Sequence, residues 1–189
     1  ILFLLFLRFL FFSYSKCYLT YLYSVDMNNC KFSNSEFTAD GGVRAGVRFH
    51  QMQTLWFNTG TLCNIACENC YIESSPFNNE LAYLTISDVN MYLDQLACME
   101  NSFVEIGFTG GEPFMNPDII DQLREVLSRG YRVLVLTNAM RPMIKHKRPL
   151  LSLLKQYGKM LGIRVSIDHY TQDLHDAERG IGSWNSMIQ

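Results

Sequence analysis

Residues 131–137, Tyr-Arg-Val-Leu-Val-Leu-Thr, are apolar at nearly every position. Such a run, without polar alternation, marks a strand covered on both faces, as in a parallel sheet packed between layers. Similar segments recur along the chain. Thr54 to Thr59 is β-prone, Phe103 to Thr109 reads as a second strand, and Ile163 to Asp168 as a fourth. Helical patterns fill the intervals. Thr85 and Asp88 have capping-box spacing ahead of Val89, Tyr92, Leu93 and Leu96. Asn116 and Pro117 read as N-cap and first helical residue before Ile119, Ile120, Leu123, Val126 and Leu127, with Gly130 closing the helix. Arg148 to Met160 gives a third helix, and Ser183 caps one that is only begun at Gln189. Short strand–helix alternation implies parallel strands joined by right-handed crossovers.

The chain has 189 residues. A complete eight-fold (β/α) barrel typically needs about 250. The expectation is therefore α/β: a partial (β/α) barrel, truncated after about four strand–helix units. Hydrophobic residues at 48% and charged ones at 18% exclude a disordered chain. The net charge of -2 supplies no global field for nucleic acid or an anionic membrane, so neither is expected as a partner. There is no Walker-type phosphate loop and no G-x-G-x-x-G after a strand.

Residues 1–26 stand apart as a hydrophobic leader of doubtful origin, and 27–189 as the core domain, incomplete at its C-terminus. The leader carries Arg8 and Lys16 and no acid up to Val25. Three readings of it stay open. It is sequence translated upstream of a true start at Met27, a membrane anchor, or a helix of the fold. The first is favoured, because Arg8 interrupts the most apolar run and no small-residue cleavage site follows.

Six cysteines occur: Cys17, Cys30, Cys63, Cys67, Cys70 and Cys98. Cys98 falls in a helical pattern and reads as a small core residue. Three of the others fall in Cys63-Asn64-Ile65-Ala66-Cys67-Glu68-Asn69-Cys70, a C-x3-C-x2-C spacing at the end of the first strand. Clustered thiols in a core-rich chain point to metal or cluster ligation in a reducing, cytoplasmic compartment. Three thiolates on a four-iron cube leave one iron open to a substrate or cofactor. The alternative is zinc, which needs a fourth ligand. His50, His146, His169 and His175 have no motif spacing to the trio.

The trio, followed about forty residues on by Gly110-Gly111-Glu112-Pro113, resembles the radical S-adenosylmethionine (radical SAM) superfamily. The resemblance covers roughly residues 53–189 and implies a partial barrel of the radical SAM type. It implies an oxidoreductase-like enzyme with two cofactors, a [4Fe–4S] cluster on Cys63, Cys67 and Cys70, and S-adenosyl-L-methionine. Reductive cleavage would yield a 5′-deoxyadenosyl radical that abstracts hydrogen from a small-molecule or peptide substrate. An electron donor such as flavodoxin or ferredoxin is implied as partner. Cofactor contacts would come from Gly110, Gly111, Glu112 and Pro113, from Asn138 at the end of the third strand, and from Ser166 and Asp168. The last two are read as sharing one face of the fourth strand. His175, Asp176 and Arg179 resemble a stretch of peptide-modifying and cofactor-maturing members, or form a solvated loop. The family's usual aromatic before the third cysteine is replaced by Asn69. Two other functions compete: a non-catalytic iron–sulfur or zinc-binding fragment, and a membrane-anchored accessory protein.

Overall fold

The computed structural model describes residues 34–188, apart from 39, 47, 49 and 100–103. The leader, Met27, Cys17, Cys30 and Phe103 lie outside the described residues. The chain divides into two compact units, Ile1–Phe49 and His50–Gln189. In the first, Phe37 and Val43 form an antiparallel bridge around a turn. The Asn34 side chain accepts the N–H groups of Glu36 and Phe37.

The second unit alternates strands and helices. β1 is Thr54–Asn58, α1 Ile86–Ala97 and β2 Glu105–Thr109, followed by a 3-10 turn at Pro113–Met115. Then come α2 Ile119–Ser128, β3 Arg132–Thr137, α3 Arg141–Lys145 and α4 Lys147–Tyr157. A 3-10 turn at Gly158–Met160 leads to β4 Leu161–Val165, then α5 Gln172–Arg179 and α6 Ser183–Met187. The four strands are parallel, in the order β1-β2-β3-β4. Each neighbour in space is thus the next strand in sequence, the arrangement of a barrel wall.

One face of the sheet carries the core. Leu55, Phe57, Ile106, Phe108, Val133 and Val135 are buried on it. Opposite them lie Val89, Leu93 and Leu96 of α1, and Ile119, Leu123, Val126 and Leu127 of α2, all buried at helical spacing. Each such side chain contributes about 1.5–3 kcal/mol when fully buried. The Thr85–Asp88 capping box forms as its spacing predicts.

Several local expectations give way to tertiary demands. α2 begins at Ile119 with Asp118 at the N-cap position, while buried Asn116, two residues earlier, still accepts the Asp118 N–H on its Oδ1 (2.9 Å). Its amide donates to the carbonyls of Thr59 (3.1 Å) and Leu84 (2.8 Å). The helix expected over 148–160 is α4 plus a 3-10 turn, with α3 ahead of it. The fourth strand ends at Val165, so Ser166 and Asp168 lie past it rather than on one of its faces. Cys98 is exposed at the C-terminal cap of α1, outside the core. Ser183 is the first residue of α6, and Gly182, at φ 85°, holds the cap position.

The opposite face holds one tight contact. Register places Trp56, Gly107, Leu134 and Gly162 in a row across the sheet. A Cβ on Gly107 would lie 2.3 Å from the Trp56 ring. The indole therefore lies across Gly107, and glycine is required there. Gly107→Ala is expected to lower stability by about 1–3 kcal/mol through overpacking. Adding Trp56→Leu should recover part of that loss in chemical denaturation. An unchanged midpoint for Gly107→Ala would contradict this placement of the indole.

Candidate functional site

The β1–β2 pairing does not stop with the strands. Beyond their ends, the Thr59 N–H donates to Thr109 O (2.8 Å), Gly111 N–H to Gly60 O (2.8 Å) and Glu112 N–H to Leu62 O (3.0 Å). Two glycines permit this approach. Gly110 has φ 135°, and a Cβ there would sit 2.6 Å from Gly60 O. A Cβ on Gly111 would sit 2.2 Å from Leu62 O. The glycines make room first for this neighbouring backbone. Cys63 follows directly, its N–H donating to Ser75 O (3.1 Å) beside a parallel bridge between Leu62 and Ser75. The first cysteine is thereby fixed to the end of the sheet.

Glu112 ties this corner to β3. It is only 2% exposed. Its Oε1 accepts from Thr137 Oγ1 (2.8 Å) and Phe114 N–H (3.1 Å), and its Oε2 from Asn138 N–H (2.9 Å). Burial raises the Glu112 pKa, and these donors together with the Arg179 charge oppose the shift. The Asn138 amide in turn donates to Asn64 Oδ1 (2.9 Å) and faces Cys63 Sγ at 3.8 Å. Ala139 takes a left-handed φ of 58°, held by its N–H on Thr137 Oγ1 (3.0 Å).

The other two cysteines are half-buried on the same loop. Ser74 N–H donates to Cys70 Sγ (3.3 Å). The far side of the loop is pinned to α5. Glu68 N–H donates to Glu178 O (2.9 Å), and the Asn69 amide to Glu178 Oε2 (2.6 Å). Arg179 pairs with Asp168 (2.5 Å), and its charge opposes the rise that burial imposes on the Cys67 pKa. Burial pushes the Cys63 thiol up to about 11, with Glu112, Cys67 and Cys70 adding to the rise.

The Radical SAM superfamily matches residues 57–189. The chain belongs to the radical SAM superfamily. It is 32% identical over 118 residues to the antilisterial bacteriocin subtilosin biosynthesis protein AlbA of Bacillus subtilis (strain 168), covering 62% of this chain and 25% of AlbA. It is 28% identical over 128 residues to the mycofactocin maturase MftC of Mycobacterium ulcerans (strain Agy99), covering 67% of this chain and 32% of MftC. The chain thus spans about a quarter to a third of these relatives. Streptococcus suis SuiB, solved bound to S-adenosylmethionine, shares the fold with a TM-score of 0.58 and 18% identity over 72% of this chain and 30% of SuiB. Partial coverage of these barrels agrees with a four-strand segment of one.

The radical SAM family implies a [4Fe–4S] cluster, and the loop's donor set fits one. Among the described residues, no three His, Cys, Asp or Glu side chains close around a single ion position. The N–H donors facing Cys63 and Cys70 suit thiolate sulfur, and a metal would displace the proton that burial favours on Cys63.

The structure gathers Cys63, Cys67, Cys70, Gly110, Gly111, Glu112, Pro113 and Asn138 at the C-terminal ends of β1 to β3. Ser166 stands beside them, its N–H on Thr137 O (2.9 Å). Asp168 is exposed and engaged by Arg179. The stretch holding His175, Asp176 and Arg179 is helix α5, not a solvated loop. His175 is fully buried against Trp184. Asp176 accepts the Gly182 and Trp184 N–H groups and the Ser183 hydroxyl, which holds its pKa down to about 2. Thr137 and Glu178 carry no sequence signal of their roles, because both act through contacts 25 or more residues away.

Glu112→Gln replaces one acceptor oxygen with an amide that faces a donor. A cost of about 1–3 kcal/mol is expected in denaturant unfolding. No loss would show that the clamp between β2 and β3 is not formed.

Proposed function

We propose that this chain is the cluster- and cofactor-binding part of a radical SAM enzyme that acts on a peptide. Cys63, Cys67 and Cys70 would hold the [4Fe–4S] cluster. The observation that carries the reading is the locking of the cysteine loop to the Gly110–Glu112 segment by continued backbone pairing. When bound, the cluster would supply the single electron for reductive cleavage of S-adenosyl-L-methionine and so the means of abstracting hydrogen from the substrate.

The chain's own residues prepare the place for that chemistry. A carboxylate offers about four acceptor positions. Three on Glu112 are already filled, leaving about one for the amino group of the methionine moiety. Backbone groups of Gly110, Gly111 and Pro113 border the same corner. The Ser166 hydroxyl has no hydrogen-bond partner among the described residues and is available to a polar ligand. Asp168 acts at one remove, by orienting Arg179 beside Cys67. Asn138 orients Cys63 and Asn64 rather than standing free for the cofactor.

The peptide class rests on the named relatives: a bacteriocin biosynthesis protein, a maturase, and SuiB, also solved with its precursor peptide SuiA. A reducing, cytoplasmic setting suits three thiols held for metal. No helix among the described residues is long and apolar enough to cross a membrane.

After anaerobic reconstitution with iron and sulfide, the protein is expected to form 5′-deoxyadenosine from S-adenosyl-L-methionine and dithionite. Cys67→Ser should abolish that product. Equal product from wild type and Cys67→Ser, or none from a fully reconstituted full-length protein, would overturn the reading.

A further inference from the structure

Both polar atoms of the Asn138 side chain are engaged, and one of its contacts is a cysteine sulfur. Its Oδ1 accepts the Met140 N–H (3.1 Å), closing an Asx turn over Ala139. Its Nδ2 donates to Asn64 Oδ1 (2.9 Å) and faces Cys63 Sγ at 3.8 Å. Asn138, Met140 and Cys63 are all buried. The turn is held firmly: Ala139 keeps a left-handed φ of 58°, with its N–H on Thr137 Oγ1 (3.0 Å). An alanine stays in that region only where its neighbours hold it there.

These partners fix which end of the amide meets the sulfur. The Met140 backbone N–H is a donor, so the Asn138 oxygen lies on that side. Asn64 presents its oxygen, because its own Nδ2 reaches Met140 Sδ (3.4 Å). Turning the Asn138 amide over would set donor against donor at Met140, and oxygen against both Asn64 Oδ1 and the sulfur. The N–H therefore points at Cys63. The surroundings otherwise disfavour negative charge on this sulfur. Cys63 is buried, and the Asn138 backbone N–H is bonded to the Glu112 carboxylate (2.9 Å).

We propose that Asn138 tunes the cluster ligated by Cys63: its side-chain N–H bonds to the Cys63 sulfur and raises the reduction potential. The proposal rests on the radical SAM reading above and adds an electronic role to the orienting one. The step it serves makes and breaks no bond. A one-electron reductant loses an electron, the cluster gains it, and the thiolate sulfurs become more negative. A donor aimed at one of them stabilises the reduced form more than the oxidised form. Asn138 is an adjustable donor. Cys70 receives the backbone N–H of Ser74 (3.3 Å), which a side-chain change leaves in place, whereas the Asn138 amide is removed by substitution.

The test uses the full-length protein reconstituted with iron and sulfide, as wild type, Asn138→Ser and Asn138→Asp. Serine keeps an oxygen for the Met140 N–H but is too short to reach Cys63. Aspartate keeps the shape and replaces the donor with an oxygen. Potentials are read by EPR-monitored titration with dithionite, without S-adenosyl-L-methionine and at a pH well above the carboxylate range. Asn138→Ser should disfavour one-electron reduction about tenfold, a shift of about 59 mV to more negative potential. Asn138→Asp should shift it further the same way. Pulsed EPR on reduced protein carrying ¹⁵N in its asparagine side chains reads the contact itself. A coupled nitrogen is expected in wild type and lost in both variants. Equal potentials in three cluster-bearing proteins overturn the proposal and leave the radical SAM reading standing. So does a shifted potential with no asparagine nitrogen coupled in wild type, because a structural effect then accounts for the shift. Loss of the cluster from both variants makes Asn138 a structural support and likewise overturns the proposal. A wild type that takes up no cluster overturns both readings.

Discussion

The site depends on one constraint: parallel pairing between β1 and β2 that continues past both strands. The bonds from Gly111 to Gly60 and from Glu112 to Leu62 hold two loops at backbone distance. Only residues without a Cβ tolerate 2.2–2.6 Å to a facing carbonyl, so Gly110 and Gly111 are fixed by contact as well as by conformation. Cys63 begins where this pairing ends. Its position is thus a consequence of sheet register, the most strongly specified feature of a parallel sheet with a buried face. Glu112 then extends the constraint sideways, carrying it to Thr137 and Asn138 at the end of β3.

A buried carboxylate is costly unless its acceptors are filled. Here three donors occupy it, and the result is a tied corner next to a buried thiol. Burial of Cys63, and after it the neighbouring Glu112, favours the protonated thiol. A metal bound by these thiols would displace the proton that burial favours on Cys63. Arg179 balances the other end of the loop near Cys67, and Asp168 keeps it there.

Much of this was legible in sequence because it is local. The β3 run, the Thr85–Asp88 cap and the order of the four strands all follow from periodicity and short-range spacing. The cysteine trio and the Gly-Gly-Glu-Pro segment were visible as motifs, each at a strand end. What was not legible depends on distant partners. Asn116 looks like a helix cap and its Oδ1 does accept the Asp118 N–H, but its amide also reaches the carbonyls of Thr59 and Leu84. Ser166 and Asp168 look like alternate residues of a strand. The pairing of Val133 with Leu161 starts β4 two residues earlier than Ile163, and the strand ends before both. Cys98 has helical spacing, but it falls at the cap, where the apolar face of α1 has already ended. The α5 helix was hidden because its exposed side is so polar, while its anchor, Glu178, acts on a loop more than a hundred residues away.

The most direct measurement is Mössbauer spectroscopy on protein reconstituted with ⁵⁷Fe and sulfide, before and after addition of S-adenosyl-L-methionine. Three thiolates on a four-iron cluster predict four irons per chain, with one iron site changing on addition and three unchanged. A chain that retains zinc and takes up neither iron nor sulfide, or a cluster in which no site responds, would contradict the account.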